Sequence, residues 1–213
     1  MAQVSVINNY IDKMKNIQKE LLDFVEDEDD QVNDFESLIQ LFENQMIFKE
    51  KQKINAILHL ISSISENHQR CLHFMDKIEQ ILIYYQQNIQ KFFSNFEIFN
   101  VFKNNKRILL FLFNQKFIFD DKAIFKCINN KYFKKRFYLD YFLPEFEQFI
   151  TSNIKNKDND EYFEYKRKQG ENDDYICQLI RNDSVVEFIT YINKTNYPLS
   201  STINQSIFET NTF

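Results

Sequence analysis

The chain has 213 residues, of which 44% are hydrophobic, and its 31 acidic and 26 basic residues give a formal net charge of -5. It contains 24 Phe and 11 Tyr but only 1 Gly and 2 Pro. The acidic balance argues against a nucleic-acid-binding surface over the whole domain, and so little glycine argues against phosphate-binding loops and tight β-hairpins. Helices do not need glycine, and the chain is long enough to bury a sizeable core. We therefore predict an all-α protein.

Four amphipathic stripes predict an N-terminal helical bundle over residues 1–93. In each stripe apolar residues recur three or four positions apart, which places them on one face of a helix. The stripes are Ile7–Phe24, Phe35–Met46, Ile54–Ile64 and Met75–Phe92. Asn33 or Asp34 is expected to cap the second helix. The fourth stripe spans less than three heptads without sustained flanking charges, so it favours a buried bundle helix over a coiled coil.

Beyond residue 93 the predicted elements become shorter. Residues 94–150 are interpreted as degenerate helix-pair repeats. Within them, Pro144 and Glu145 are expected in the first turn of a helix, where proline is tolerated. Residues 151–160, "TSNIKNKDND", are polar and have no periodic face, so we predict a linker.

One helix pair has a counterpart further along the chain. When the sequence is slid along itself, Ile98–Lys116 lies over Ile176–Lys194 with matching apolar positions. In both segments an apolar helix ends in a basic residue, two Asn or Asp residues turn the chain, and a second apolar helix follows. We predict two equivalent helix-turn-helix units with turns at Asn104 and Asn182. The alternative is a chance similarity between amphipathic pairs of biased composition.

The second helix of the later unit carries one apolar stripe. Its members stand at i, i+3, i+4 and i+7 and are Val185, Phe188, Ile189 and Ile192. Asp183 or Ser184 is expected to accept hydrogen bonds from the free amides of the first turn. Such a pair cannot bury both of its faces alone and needs neighbours, as in stacked repeat proteins.

The segment "LIRNDSVVEFITYI" resembles the inter-helix segment of an ankyrin repeat, where "RNGHLEVVKLLL" is typical. Asp183 stands where the ankyrin turn has glycine, and the threonine-proline-leucine-histidine opening is absent. The longer segment Lys166–Asn211 resembles the junction in a large family of protist ankyrin-repeat proteins, best known from trichomonads. Upstream, "LLDFVEDEDD", "SLIQLFENQ" and "FSNFEIFNVFKNNKRILLFLF" are similar to the N-terminal helical domain of that family. The resemblance therefore covers nearly the whole chain.

This resemblance implies an α-solenoid of ankyrin-like stacked helix pairs after the N-terminal helical bundle. Residues 161–213 are then expected to hold a junction helix and the first ankyrin-like helix pair, with the array truncated. The family has no assigned catalytic or ligand-binding residues, so the implied function is a non-catalytic protein–protein interaction or scaffold module. An unrecognised helical enzyme and a truncated paralogue without retained function are the alternatives.

The region after Thr195 lacks a charged capping helix and mixes apolar residues with Ser, Thr and Asn. Terminal repeats of stable solenoids normally present a polar outer face. We therefore expect uncovered apolar surface on the C-terminal helix pair, with self-association through it. The expected partner is a protein whose identity the sequence does not give.

No catalytic, cofactor or metal site is expected. His68, Cys71 and His73 bring thiol and imidazole together, but they do not share one helix face and a fourth zinc ligand is missing. The acidic run Glu26–Asp30 lacks the alternating ligands and central glycine of a calcium loop. Cys177 has no histidine near it in sequence, which argues against a thiol nucleophile.

One patch combines basic and aromatic residues, and it is the strongest candidate for contact with RNA or an acidic partner. Its members are Lys131, Tyr132, Phe133, Lys134, Lys135, Arg136 and Phe137. Alternating charged and buried faces of one helix give the same pattern. We favour that interpretation and expect no nucleic-acid binding.

Cysteine usage and hydropathy indicate an intracellular protein. The three cysteines have no paired spacing, which fits a reducing compartment. The start "MAQVSVINNYIDKMKN" does not resemble a secretory signal. The most apolar run, Ile108–Phe119, is interrupted by polar residues and is too short for a bilayer span. We expect a cytoplasmic protein without a membrane span.

Overall fold

The computed structural model describes residues 2–27, 32–67, 72–119, 121–130, 138–150, 161–172, 174–198, 203 and 206–208. Over these residues the fold is all-helical, as predicted, with thirteen α-helices, two short 3₁₀ turns and no strand. The chain divides into two compact units, Met1–Asp121 and Lys122–Phe213. The boundary predicted at residue 93 lies within the first unit, and the linker predicted at 151–160 lies outside the described residues.

The N-terminal unit contains seven described helices and a 3₁₀ turn at Ile47–Lys49. The helices are α1 (Ala2–Glu26), α2 (Val32–Asn44), α3 (Lys51–Asn67), α4 (Leu72–Tyr84), α5 (Gln86–Phe92), α6 (Asn95–Phe102) and α7 (Lys106–Asn114). α1 packs on α2 and α4, while α3 packs on α4 and α6. α7 packs on both α4 and α6. The four predicted stripes therefore meet in one core.

Apolar residues from all four stripes are fully buried in this core. Among the side chains with at most 1% exposure are Leu21, Phe42, Ile54, Ile57, Leu58, Met75, Ile78, Leu82 and Ile89. Burying a side chain of this size stabilises the folded state by about 1.5–3 kcal/mol. The helical spacing seen in the sequence is thus explained by burial.

Two details of these helices differ from the prediction. α2 begins at Val32, so the prediction that Asn33 or Asp34 caps it is wrong; both lie in its first turn, where an acidic residue is favoured by the helix dipole. The fourth stripe is divided between α4 and α5 at Tyr85, whose backbone leaves the helical region (φ -99, ψ 12). The Tyr85 ring stacks on Phe48 at 3.5 Å between centroids.

The end of α1 is closed by side chains from α4. Lys77 is 6% exposed, and its Nζ donates to the carbonyl oxygens of Phe24 (3.0 Å) and Asp27 (2.5 Å). The Nζ also lies 5.0 Å from the centre of the Phe24 ring. The last carbonyls of a helix have no partner within the helix, so a buried lysine at this place satisfies them.

The C-terminal unit contains α8 (Lys122–Ile128), α9 (Tyr138–Tyr141), α10 (Leu143–Phe146), α11 (Glu161–Gln169), α12 (Tyr175–Arg181) and α13 (Val185–Thr195) among its described residues. A 3₁₀ turn, Glu147–Phe149, follows α10. Pro144 lies in the first turn of α10, as predicted. The rings of Phe125, Phe146 and Phe149 pack together with centroids 5.5–6.4 Å apart. This aromatic cluster joins α8 to α10.

Arg167 on α11 is the most buried charged side chain among the described residues of this unit, with 1% exposure. Its Nη2 lies 2.5 Å from Glu145 Oε1 on α10, and its Nη1 lies 2.9 Å from Glu164 Oε1. The guanidinium sits 5.3 Å from the centre of the Tyr141 ring on α9, and the Tyr141 hydroxyl donates to the Arg167 carbonyl at 3.0 Å. Arg167 therefore joins three helices.

Five chain positions in the described residues have a left-handed backbone, and each follows a helix. Gly170, the only glycine, follows α11 with φ 65. The others are Met46 (φ 51), Lys116 (φ 55), Asp183 (φ 51) and Asn196 (φ 50). Glycine adopts this conformation without strain because it has no Cβ atom. In other residues the Cβ crowds the backbone.

Candidate interaction surface

Polar contacts at both ends of α12 hold the α12–α13 pair in place. The Asp174 side chain accepts from the amide of Ile176 at 2.9 Å and so caps the start of α12. At the other end of the helix, Arg181 Nε lies 2.8 Å from Glu171 Oε2, and its Nη1 donates to the Asn172 carbonyl at 2.8 Å. These contacts fix α12 against the segment that precedes it.

The turn between α12 and α13 is closed by backbone hydrogen bonds around Asp183. The amide of Asp183 donates to the carbonyl of Ile180 (3.2 Å), and that of Ser184 donates to Leu179 (3.0 Å). With Asp183 left-handed, this is the Schellman arrangement, in which glycine is the preferred residue. The chain therefore turns at the predicted place, although with an aspartate at the position that favours glycine.

The earlier pair, α6–α7, turns at the aligned position. There the amide of Asn105 donates to the carbonyl of Phe102 at 2.9 Å, which is the counterpart of the bond from Asp183 to Ile180. The turns predicted at Asn104 and Asn182 are confirmed, since α6 ends at Phe102 and α7 begins at Lys106, while α12 ends at Arg181 and α13 begins at Val185. The second helix begins one aligned position later in α13 than in α7.

The predicted capping of α13 is wrong, whereas α7 does have a side-chain cap. Asn105 has an extended backbone and its side chain accepts from the amide of Ile108 at 3.1 Å. Ser184 precedes α13 but makes no side-chain capping bond. Its ψ of 65 lies far from the 161 of Ser94, which does cap α6. Asp183 forms the left-handed turn at the end of α12, so it does not occupy the N-terminal capping position of α13.

Apolar residues of the later pair are exposed. Four of them lie around the turn and along the first two turns of α13, and we name them the α12–α13 patch: Ile180 (60% exposed), Val185 (57%), Val186 (74%) and Ile189 (53%). Ile176 and Leu179 of α12 are buried, whereas no described residue of α13 is. One side of α12 therefore belongs to the core and most of α13 does not.

Three of these four positions are covered in the earlier pair, and the fourth, Val185, aligns with Arg107. Phe102 and Ile108, which align with Ile180 and Val186, are both 0% exposed. Phe111 aligns with Ile189 and is 8% exposed. In the N-terminal unit α3 packs on α6 and α4 packs on α7. The two pairs turn at aligned positions, although Asn105 is extended and Asp183 is left-handed, and they differ in whether neighbouring helices cover their apolar residues.

Sequence reasoning found this surface in part. It placed Val185 and Ile189 on the apolar stripe, but it also placed Phe188 and Ile192 there, and both of these are partly buried. Ile180 and Val186, the most exposed members of the patch, were missed. They align with the apolar Phe102 and Ile108, so the sequence marks both positions as apolar but not as exposed.

Most of the residues that the sequence analysis considered as metal or nucleic-acid sites lie outside the described residues. His68, Cys71 and the whole basic patch, residues 131–137, are not described. His73 is described, and its Nε2 lies 2.5 Å from the carbonyl oxygen of Asp27. Over the part of the chain that the structure covers, no group of three or more His, Cys, Asp or Glu residues could hold a metal ion.

Three described carboxyls have shifted pKa values, two raised by burial and one lowered by hydrogen bonds. Burial raises the pKa of Glu79 to about 7, partly offset by Arg107. A hydrogen bond from Lys51 and two from Ser94 lower the pKa of Glu97 to about 2. Burial raises the pKa of Glu145 despite the neighbouring Arg167. Glu79 and Glu145 belong to different units, so they do not form a catalytic pair within either unit.

Replacing Asp183 with glycine is expected to raise the free energy of unfolding by about 0.5–1 kcal/mol. Glycine removes the clash of a left-handed side chain, which outweighs its greater freedom in the unfolded chain. The gain is measured by urea denaturation of the full chain. Asp183→Val is the matched control and should be destabilising, since a β-branched residue tolerates this backbone worst. Equal stability of the two variants would contradict the assigned turn.

The chain has no significant match among protein-family models, curated proteins or solved structures. Among the helices that the structure describes, none has both the length and the apolar character needed to cross a bilayer.

Proposed function

We propose that this chain is a non-catalytic protein–protein interaction module of the ankyrin-repeat type, whose α12–α13 patch receives a further helix pair. One observation carries the proposal. α12–α13 turns at the same aligned position as α6–α7, yet residues that neighbouring helices cover in α6–α7 have exposed counterparts in α12–α13. When a neighbouring helix pair removes such an apolar surface from water, the complex gains about 25 cal/mol per Å² of apolar surface buried.

The backbone at Asp183 also supports an ankyrin-type pair. The resemblance places Asp183 where an ankyrin turn has glycine, and Asp183 adopts the left-handed conformation that glycine favours. In a solenoid each helix pair contacts only its neighbours, so a pair with an open face is completed by the next unit. The partner in this proposal is therefore an amphipathic helix pair.

The test uses sedimentation velocity of the full chain over a range of concentrations. We expect self-association through the patch, because a second copy is the nearest available apolar surface. Ile189→Lys should leave the chain monomeric without changing its circular dichroism. Ile83→Lys is the matched control, since Ile83 on α4 is 50% exposed and Ile189 is 53% exposed. This control should associate like the unmodified chain.

An extended protein supplies the second arm of the test. Fusing three consensus ankyrin repeats after the chain should abolish self-association and raise the thermal midpoint of α12–α13, because the added repeats cover the patch. The proposal fails if the unmodified chain is a monomer at all concentrations and α13 is as protected from hydrogen exchange as α3. It also fails if Ile83→Lys disperses the chain as well as Ile189→Lys does.

A further inference from the structure

Four serines of the chain have a glutamate three positions later: Ser63, Ser94, Ser184 and Ser206. Acid-directed serine/threonine protein kinases recognise this spacing, because basic groups of the kinase pair with the substrate carboxylate. The kinase also needs a free hydroxyl and a chain segment that can open into its active site. The fold therefore decides which of the four serines a kinase can modify.

The fold holds three of these serines in contacts that oppose modification. Ser63 lies inside α3 between two buried residues. The Ser94 hydroxyl lies 2.9 Å from the carboxylate of its own glutamate, and both groups take part in the capping box of α6. Ser206 Oγ accepts from the amide of Phe208 at 3.2 Å, and Phe208 is buried.

Ser184 differs from the other three in its contacts. It directly precedes α13 but makes no side-chain capping bond. Its acidic neighbours, Asp183 and Glu187, are both exposed, and no described residue pairs with either carboxylate. Ser184 therefore offers a kinase an uncommitted hydroxyl together with two accessible carboxylates.

The helix that follows Ser184 has less holding it closed than the helices that hold Ser63 and Ser94. No described residue of α13 is buried, whereas α3 and α6 carry fully buried side chains such as Ile57 and Phe99. Local opening costs least where few apolar contacts are lost. The first turn of α13 can therefore become extended in a kinase active site while the core stays folded.

Ser184 also lies beside the α12–α13 patch. Its amide donates to the Leu179 carbonyl at 3.0 Å, which holds it at the end of α12, where Ile180 lies, and Val185 follows it directly. A phosphate on serine carries about 1.5–2 negative charges at neutral pH. A neighbour that covers the patch would have to strip water from this phosphate, and burying an unpaired charge is strongly unfavourable. Phosphorylation of Ser184 therefore opposes burial of the patch.

We propose that Ser184 is a phosphorylation site for an acid-directed serine/threonine protein kinase, and that the phosphate prevents a neighbour from binding the α12–α13 patch. In this reaction Ser184 Oγ bonds to the γ-phosphorus of ATP, the bond from that phosphorus to ADP breaks, and the hydroxyl proton passes to a base of the kinase. The effect on binding rests on the proposed function, whereas the modification itself does not.

The modification is tested by incubating the full chain with casein kinase II, ATP and Mg²⁺ and locating the phosphate by mass spectrometry of its peptides. We expect Ser184 to be modified at least about tenfold faster than the other three serines, and Glu187→Gln to slow its modification about tenfold. Glu97→Gln is the matched control and should leave modification of Ser184 unchanged. Equal modification of the four serines, or an unchanged rate in Glu187→Gln, would overturn the assignment of the site.

The effect on binding is tested by sedimentation velocity of the phosphorylated chain. We expect a monomer at concentrations where the unmodified chain associates, with unchanged circular dichroism, since negative charge is favourable at the start of α13. Ser184→Ala treated with the same kinase should associate like the unmodified chain. Undiminished association of the phosphorylated chain would overturn the effect on binding. A chain that is monomeric before treatment would overturn that effect together with the proposed function, while the mass spectra would still decide whether Ser184 is modified.

Discussion

Replacing Arg167 with methionine is expected to lower the free energy of unfolding by about 3–5 kcal/mol. The substitution keeps the apolar stem but removes the charge that faces Glu145, leaving that carboxylate buried without a counter-ion. It also removes the guanidinium that packs over the Tyr141 and Phe163 rings. Urea denaturation of the full chain, followed by circular dichroism, measures the loss.

Two further variants separate the buried pair from a general loss of charge. Arg181→Met removes a part-exposed pair with Glu171 and the hydrogen bond to the Asn172 carbonyl, and should cost about 1–2 kcal/mol, less than Arg167→Met. Adding Glu145→Gln to Arg167→Met should recover a large part of the loss, because no charge then remains buried. Similar losses for Arg167→Met and Arg181→Met would contradict the importance of burial.

The loss caused by Arg167→Met should also depend on pH. Burial already raises the pKa of Glu145, and Arg167 opposes that rise. Without the arginine, the folded-state pKa rises further above the unfolded value, so the folded state binds a proton that the unfolded state has released. Stability of the variant therefore falls as pH rises through this interval. Its deficit relative to the unmodified chain should be smaller at pH 5 than at pH 8.

Replacing Asn105 with alanine is expected to cost about 2–4 kcal/mol. Asn105 is 0% exposed and serves two helices. Its side-chain oxygen accepts from the amide of Ile108 at the start of α7, and its Nδ2 donates to the carbonyl of Ser65 near the end of α3 at 3.1 Å. Loss of a cap costs about 1 kcal/mol, and each buried group left without a partner costs about 1–3 kcal/mol.

Ser184→Ala is the matched control for this substitution. Ser184 occupies the capping position of α13 but makes no side-chain capping bond, so its replacement should change stability by less than about 0.5 kcal/mol. Both variants are compared by urea denaturation at one pH. If Ser184→Ala lowered the free energy of unfolding as much as Asn105→Ala, the conclusion that a side chain caps α7 but not α13 would be wrong.

The sequence predicts helices well where burial enforces a period. Residues such as Leu21, Ile57 and Ile78 recur at helical spacing because each is buried in one core. It predicts turns where Asn and Asp cluster, as at Asn104 and Asn182. The change of helix at Tyr85 escapes prediction, because the apolar spacing and the i to i-4 hydrogen bonds continue through it.

The ion pair of Arg167 could not be predicted for a different reason. In sequence it belongs to the basic end of α11, where lysine and arginine commonly face solvent and complement the helix dipole. Its partner Glu145 lies on α10, far away in the sequence, and only tertiary packing brings them together. The exposure of Ile180 and Val186 depends in the same way on which helices are neighbours. Local pattern identifies apolar positions, but it does not show what covers them.

The left-handed helix ends have a consequence for how much change this protein tolerates. Met46, Lys116 and Asp183 each hold a conformation that glycine would adopt without a clash. At about 0.5–1 kcal/mol for each position, the chain forgoes about 2 kcal/mol of stability. An average substitution lowers the free energy of unfolding by about 1 kcal/mol. A variant with glycine at these helix ends could therefore tolerate one or two more substitutions. Glycines introduced at these three positions would let the protein accept surface changes that would otherwise unfold it.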